Sequence, residues 1–299
     1  MLEWLLLAFL ASGGVYLPQN TSLPQIEIIR PAKIPRKNTN KIAPKLLNNQ
    51  KTAVLAIDMG TGETLLAKKE NHPQPIASLT KIMTTLLILQ NHSLDEIVTI
   101  PLKATQVSGV KADFYQYEKV TVKTLLEASL IPSANDAALA LAIFDAGSEE
   151  AFVQKMNNKA RELGLNSAKF YNPTGLDYYD EKNDKWVSNK MSAHDLAILT
   201  KIALRNKFFR QTVRKRNFAG TSIDGQFFHE KPSTNKLFDT FLNLKGVKTG
   251  YTKLAGQCFI ALGETRDRND VLTVILGSTD RFGETKNLLS WIYDSFVWK

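Results

Sequence analysis

Ser78 and Lys81 are the residues of this chain whose types and spacing most directly suggest a reaction. A serine hydroxyl is a poor nucleophile near neutrality and needs an adjacent base. Three residues make most of one helical turn, so on a helix the Ser78 hydroxyl and the Lys81 amine project to the same side. Leu79, Ile82, Met83, Leu86 and Leu87 recur at i, i+3, i+4, i+7 and i+8, the pattern of a helix with one buried face. Ser78 sits at the start of that helix. The pair is a candidate nucleophile carrying its own base.

Spacing alone decides little. Ser-x-x-Lys also occurs at Ser108–Lys111, in a Gly-containing loop, and at Ser233–Lys236, after Pro232. Only the copy at Ser78 opens a strongly amphipathic segment. Ser-x-Asn occurs as Ser133-Ala134-Asn135 and as Ser233-Thr234-Asn235; the former follows Pro132 and leads into a helical run. Lys248-Thr249-Gly250 occurs once, at the end of a strand pattern.

The elements that must position these residues can be read in order. Residues 53–58 and 64–68, separated by Gly60-Thr61-Gly62, form a hairpin. After the Ser78 helix come helical segments over about 122–130, 136–144, 148–163 and 193–206, the third stopped by Gly164. Strand patterns return at 243–249, 257–262 and 271–276, and an amphipathic helix closes the chain at 284–297. Strands at both ends with helices between them predict one α+β domain over 51–299, its single antiparallel sheet assembled from N- and C-terminal strands.

Composition narrows the classes. At 299 residues and 43% hydrophobic, the chain can bury a substantial core. Its lone cysteine, Cys258, excludes an internal disulfide and reads as a buried strand residue. His72, His92, His194 and His229 lack ligand spacing, so no metal site is expected. His194 reads as a helix-start residue; Met83 and Phe259 read as core. The net charge of +9 comes without a nucleic-acid-binding motif, so nucleic acid is not an expected partner.

Residues 1–17 begin with the apolar run Trp4–Ala11 followed by Ser12, Gly13 and Gly14, the signature of a signal peptide or N-terminal membrane anchor, although no Lys or Arg precedes it. Residues 18–50 read as a basic linker interrupted by Pro18, Pro24, Pro31, Pro35 and Pro44, suited to an anionic membrane or wall surface. An exported, extracytoplasmic protein is expected. The chain ends at Lys299, so any membrane attachment is expected at the N-terminus.

Ser78-Leu79-Thr80-Lys81, Ser133-Ala134-Asn135 and Lys248-Thr249-Gly250, in that order, resemble the active-site set of penicillin-binding proteins and serine β-lactamases. The flanks Ala77–Thr84, Pro132–Ala138, Phe170–Leu176 and Gly246–Thr252 narrow the resemblance to the low-molecular-weight D-alanyl-D-alanine carboxypeptidases, over roughly residues 50–299. The resemblance implies a β-lactamase/transpeptidase-like fold: a mostly antiparallel five-stranded sheet, helices on both faces and a helical insert. It implies removal of the terminal D-Ala from peptidoglycan stem peptides through an acyl-Ser78 intermediate, without metal or cofactor, and with β-lactams as covalent inhibitors. Ser78 would be the nucleophile and Lys81 its base, with a pKa lowered by partial burial and by Lys248. Ser133 would carry the proton to the leaving amine. Asn135, Lys248, Thr249, Gly250 and Tyr251 would bind substrate: Asn135 its backbone, Thr249 its terminal carboxylate, Gly250 by allowing close approach. The N–H groups of Ser78 and Tyr251 would form the oxyanion hole.

Several departures qualify this. Ala134 stands where these enzymes often have Gly. Ser233-Thr234-Asn235 occupies the region where some relatives place a carboxylate-binding arginine, with Lys236 and Lys245 as candidate substitutes. Glu162-Leu163-Gly164-Leu165-Asn166 matches the pattern of the deacylating glutamate of class A β-lactamases, but Glu162 falls at a charged helix end beside Lys159 and Arg161 and reads as solvated. A D,D-endopeptidase, a β-lactamase and a non-catalytic peptidoglycan-binding protein remain alternative readings.

Overall fold

In a computed structural model, residues 33–37 and 51–299 are described. The segment 1–17 read as signal or anchor, and most of the 18–50 linker, lie outside them. Five strands form one sheet: β1 (Ala53–Asp58), β2 (Thr64–Lys68), β3 (Leu244–Thr252), β4 (Gly256–Glu264) and β5 (Asp270–Ser278). Their order is β3-β4-β5-β1-β2 and every pairing is antiparallel. The N-terminal hairpin thus joins the C-terminal meander through β1 and β5, from Val271↔Asp58 to Leu276↔Ala53.

Alternation along the strands gives the sheet two buried faces. Ala53, Leu55, Ile57, Ile260, Leu272 and Val274 join the core shared with the helical insert. Val54, Ala56, Phe259, Ala261, Val271 and Ile275 pack with Leu288, Leu289 and Ile292 of the closing helix, Arg281–Ser295. Burial of both faces is why these strands read as continuous apolar runs.

The insert between β2 and β3 carries α1 (Lys81–Asn91), α2 (Val122–Leu130), α3 (Asn135–Ala146), α4 (Glu149–Glu162) and α5 (Ala193–Ala203); the closing helix is α6. Caps fix several starts: the side chains of Thr121, Ser148, Ser192 and Asp280 accept N–H groups of the first turns of α2, α4, α5 and α6. Gly164, with φ +69, follows α4 as expected.

Two expectations need correction. Ser78 does not lie on the α-helix: Ala77–Thr80 is a 3-10 turn and α1 begins at Lys81. Nor is α1 buried on one face only, since every residue from Lys81 to Ile88 is buried. It is enclosed because α2, α3 and α4 contact it along with α5, which itself packs on β1 and β5. Each large apolar side chain so enclosed contributes roughly 1.5–3 kcal/mol, and that anchors the helix carrying Lys81.

The closing helix ends at Ser295 rather than 297, because Phe296–Trp298 turns extended and pairs with Pro35–Lys37. Its N-terminal strand, Pro35–Lys37, lies within the span read as linker. The indole N–H of Trp298 donates to Asp58 Oδ1 at 2.8 Å, tying the ribbon to β1. Among the described residues, four further short antiparallel pairings carry no sequence signal of their own: Gln74–Pro75 with Lys190–Met191, Ile97–Thr99 with Lys119–Thr121, Tyr178–Asp180 with Lys185–Val187, and Asn217–Thr221 with Phe228–Pro232.

Candidate active site

The Lys81 amine is wholly buried and reaches three oxygens: Ser78 Oγ at 3.0 Å, Asn135 Oδ1 at 2.7 Å and the Thr174 carbonyl at 2.8 Å. The Asn135 orientation is set by its other end, where Nδ2 donates to the Ser108 carbonyl at 2.8 Å. Asn135 Oδ1 and the Thr174 carbonyl can only accept. In the neutral amine they take both N–H groups, and the lone pair is left facing the Ser78 hydroxyl. That is the posture of a general base on its nucleophile.

Burial pushes the Lys81 pKa down to about 7, with the Asp136 carboxylate opposing the shift. Burial, not the second cation expected from the sequence, is therefore the main cause. Lys248 is also wholly buried, and its pKa is held well below the ordinary lysine value, by burial first and then by Lys81 and Arg281. Its Nζ donates to the adjacent Thr249 carbonyl at 3.1 Å.

Ser133 and Asn135 flank the start of α3. Ser133 is buried in a left-handed conformation, φ +70, an uncommon one for a non-glycine residue. Its hydroxyl is not among the three partners of Lys81 Nζ. Asn135 turns its carboxamide to Lys81 and Ser108. Asp136, unread in the sequence, accepts the N–H groups of Ala112, Asp113 and Phe114 and so fastens the loop above the site. Its signal was the acidic residue directly after Ser133-Ala134-Asn135.

The segment Asn172-Pro173-Thr174-Gly175-Leu176, quoted above only as a flank, supplies the third Lys81 partner. Asn172 Oδ1 accepts from Thr174 N at 3.2 Å, Thr174 Oγ1 at 3.0 Å and Gly175 N at 2.7 Å. Gly175 has φ +87, and a Cβ there would lie 1.9 Å from the Ala77 carbonyl oxygen. Only glycine lets this turn press against the residue preceding Ser78. A groove of about 700 Å³ beside it is lined by Ser108, Tyr171, Asn172, Thr174 and Leu176, among others.

Opposite stands β3, an edge strand of the sheet. A Cβ on Gly250 would come within 3.0 Å of Ser78 N and 3.1 Å of the Ile76 carbonyl oxygen. Gly250 therefore lets the strand approach the Ser78 turn closely. Tyr251 is exposed and Thr249 buried. The hydroxyls of Thr249 and Thr234 meet at 2.6 Å. Lys245 is bound to Glu264 and Asp270, each at 2.7 Å, and Lys236 is exposed. Arg281, unread in the sequence, donates to the Gly250 carbonyl at 2.7 Å.

Neither of the other Ser-x-x-Lys copies makes such a pair. Lys111 donates to the Thr105 carbonyl, and Ser233 Oγ accepts from Asn235 N. Glu162 is 65% exposed and bound to Lys159 at 2.7 Å, as a solvated helix residue would be. Cys258, Met83 and Phe259 are fully buried. Among the described residues, no group of three or more His, Cys, Asp or Glu side chains is placed to hold a metal.

The model of the D-alanyl-D-alanine carboxypeptidase family, peptidase family S11, matches residues 38–280. The D-alanyl-D-alanine carboxypeptidase DacF of Bacillus subtilis is 33% identical over 268 residues, which cover 87% of this chain and 66% of that protein. The Streptomyces K15 DD-transpeptidase superposes with a TM-score of 0.73 at 27% identity, covering 81% of this chain and 96% of that one. Penicillin-binding protein D2 of Listeria monocytogenes, solved in an ampicillin-bound form, gives a TM-score of 0.68 at 30% identity, covering 81% of this chain and 96% of that one. The α+β fold with its five-stranded antiparallel sheet is that of these DD-peptidases. With the family model spanning most of its length, the chain belongs to the S11 family of D-alanyl-D-alanine carboxypeptidases.

Proposed function

We propose that the protein is a serine-type D-Ala-D-Ala carboxypeptidase that trims the terminal D-Ala of peptidoglycan stem peptides through an acyl-Ser78 intermediate. The observation that carries this reading is the Lys81 amine, its two N–H directions taken by Asn135 and Thr174 and its third turned on Ser78 Oγ at 3.0 Å. In this reaction Ser78 Oγ attacks the carbonyl carbon of the penultimate D-Ala while Lys81 takes the hydroxyl proton. The N–H groups of Ser78 and Tyr251 hold the oxyanion. Collapse breaks the peptide bond, and the proton passes from Lys81 through the Ser133 hydroxyl to the departing D-Ala amine. Water then attacks the Ser78 ester while Lys81 takes its proton; the acyl–Oγ bond breaks, Lys81 returns that proton to Ser78 Oγ, and the shortened peptide leaves.

Thr249 and Lys248 would receive the terminal carboxylate, with the Thr234 hydroxyl beside them in place of an arginine. β-Lactams would acylate Ser78 in the same way. Glu162, on the surface, would not hydrolyse the adduct as the β-lactamase glutamate does, so the adduct would persist. The protein would act outside the cytoplasm, its N-terminal segment serving export or attachment to the membrane surface.

Mass analysis of products from a stem pentapeptide and from a cross-linked dimer tests the reading. Loss of one D-Ala from the pentapeptide, with the dimer left joined, is the expected result. Cleavage of the dimer alone would make the protein an endopeptidase instead, and a folded protein that alters neither would contradict the proposal.

A further inference from the structure

Asn189 lies between the short strands Lys185–Val187 and Lys190–Met191 and is wholly buried. A buried carboxamide is costly unless its donors and acceptors are met. Here Oδ1 accepts from Tyr171 N at 2.7 Å and Asn172 N at 3.3 Å. Nδ2 donates to Thr80 Oγ1 at 2.9 Å and to the Asn172 carbonyl at 2.8 Å. The two N–H groups at one end and the carbonyl at the other fix the orientation of the amide. Thr80 Oγ1 gives its own proton to the Ala77 carbonyl at 2.8 Å, so it meets Asn189 as an acceptor.

The Asn189 main chain takes part as well, its carbonyl accepting the N–H of Ile76 at 3.0 Å. One residue therefore holds the turn bearing Ser78 and, through Asn172, the turn whose Thr174 carbonyl orients Lys81. Filling the space would need only a leucine. Joining these two segments needs a group with donors at one end and acceptors at the other.

We infer that Asn189 is a positioning residue for the Ser78–Lys81 pair, acting through the Thr80 hydroxyl on one side and the Asn172–Thr174 turn on the other. The inference rests on the reading of that pair as nucleophile and base. If the Asn172–Thr174 turn shifts, the Thr174 carbonyl no longer sets the Lys81 hydrogens, and the amine lone pair swings off Ser78 Oγ. A misplacement on the order of 1 Å can slow such a step about 100-fold.

Three variants test this against wild type, using a fluorescent penicillin. Thr80→Val removes the hydroxyl and keeps the shape, Thr80→Ser keeps the hydroxyl, and Asn189→Asp puts an oxygen against the Asn172 carbonyl. For Thr80→Val and Asn189→Asp, the acylation rate at saturating penicillin should fall about 10- to 100-fold. The affinity of the preceding non-covalent complex should stay within about threefold, because the strand wall is untouched. The midpoint of the pH profile should rise, since water admitted to Lys81 relieves its burial. Thr80→Ser should restore both rate and midpoint.

Variants that melt with wild type, acylate at its rate and keep its pH profile would overturn the inference, as would a Thr80→Ser protein as slow as Thr80→Val. If Asn189→Asp does not fold, the Thr80 pair decides. Wild-type protein that forms no adduct would overturn the Ser78 reading itself; equal adduct formation by all four proteins would overturn only the role of Asn189.

Discussion

On the helical wall of the cleft, Lys81 is held by oxygens from three separate segments: the Ser78 turn, the start of α3 and the Asn172–Leu176 turn. On the strand wall, Lys248 is just as deeply buried but hydrogen-bonds the carbonyl of its own neighbour, Thr249. Residue type and depth are the same, and burial is the main reason that both pKa values fall. The difference lies in how many directions are already assigned. A lysine whose N–H directions are fixed by acceptors can present a lone pair, which suits proton transfer. A lysine tied only to its own strand can turn its head group to a ligand, which suits recognition. On the proposed function, the helical wall would do the chemistry, while the strand wall, with exposed Tyr251 at its rim, would receive the peptide chain.

Removing the Lys81 amine tests this contrast most severely. Lys81→Met should slow acylation of Ser78 by roughly 10²–10⁴-fold, the usual worth of a positioned proton acceptor; a loss under about tenfold would show that Lys81 is not the base. The wild-type pH profile belongs to the same test. The folded-state pKa is lowered from 10.5 to about 7, so the amine is charged and inert below that value and available above it. Acylation should therefore rise with pH through a midpoint near 7 and fade on acidification. A flat profile across that range would place the proton elsewhere.

Next in size is the turn that Gly175 allows. A Cβ there meets the Ala77 carbonyl oxygen at 1.9 Å from a left-handed backbone, so Gly175→Ala should destabilise the fold by about 2–5 kcal/mol in urea unfolding. Unchanged stability would mean that the two turns can separate. On the strand wall, Thr249→Val should raise KM for peptides with a free terminal carboxylate by about 10- to 100-fold, the worth of one hydrogen bond to a charged group. Its acylation rate at saturation should remain near that of wild type; if the rate falls instead, the division between the walls fails. Smallest of all, Glu162→Gln should leave both acylation and adduct lifetime within about twofold, because an exposed ion pair contributes little. A lengthened adduct lifetime would give Glu162 a part in deacylation.

How far the site could be read from the sequence follows from where each contribution is encoded. The apolar spacing behind Ser78 and Lys81 exposed α1, and the three apolar runs near the C-terminus exposed β3, β4 and β5. The short pairings escaped because strands such as Tyr178–Asp180 and Lys185–Val187 fully bury no side chain and have no apolar period. The Thr174 carbonyl escaped because a main-chain acceptor leaves no mark on residue type. Its support was visible in principle, as an Asn followed by Pro-Thr-Gly, a turn pattern that by itself gives no hint of a lysine 93 residues away. Asn135 was found, but not the direction of its carboxamide, which depends on where Ser108 and Lys81 meet in space. Full burial of Lys81 was also hidden, since it depends on helices α2 to α5 enclosing α1 from outside.

Acylation of Ser78 is tested most directly by intact-protein mass spectrometry after exposure to a penicillin. Wild-type protein should gain the mass of one penicillin, peptide mapping should place it on Ser78, and Ser78→Ala should gain nothing. A folded wild-type protein without the adduct, or an adduct that persists in Ser78→Ala, would contradict Ser78 as the nucleophile.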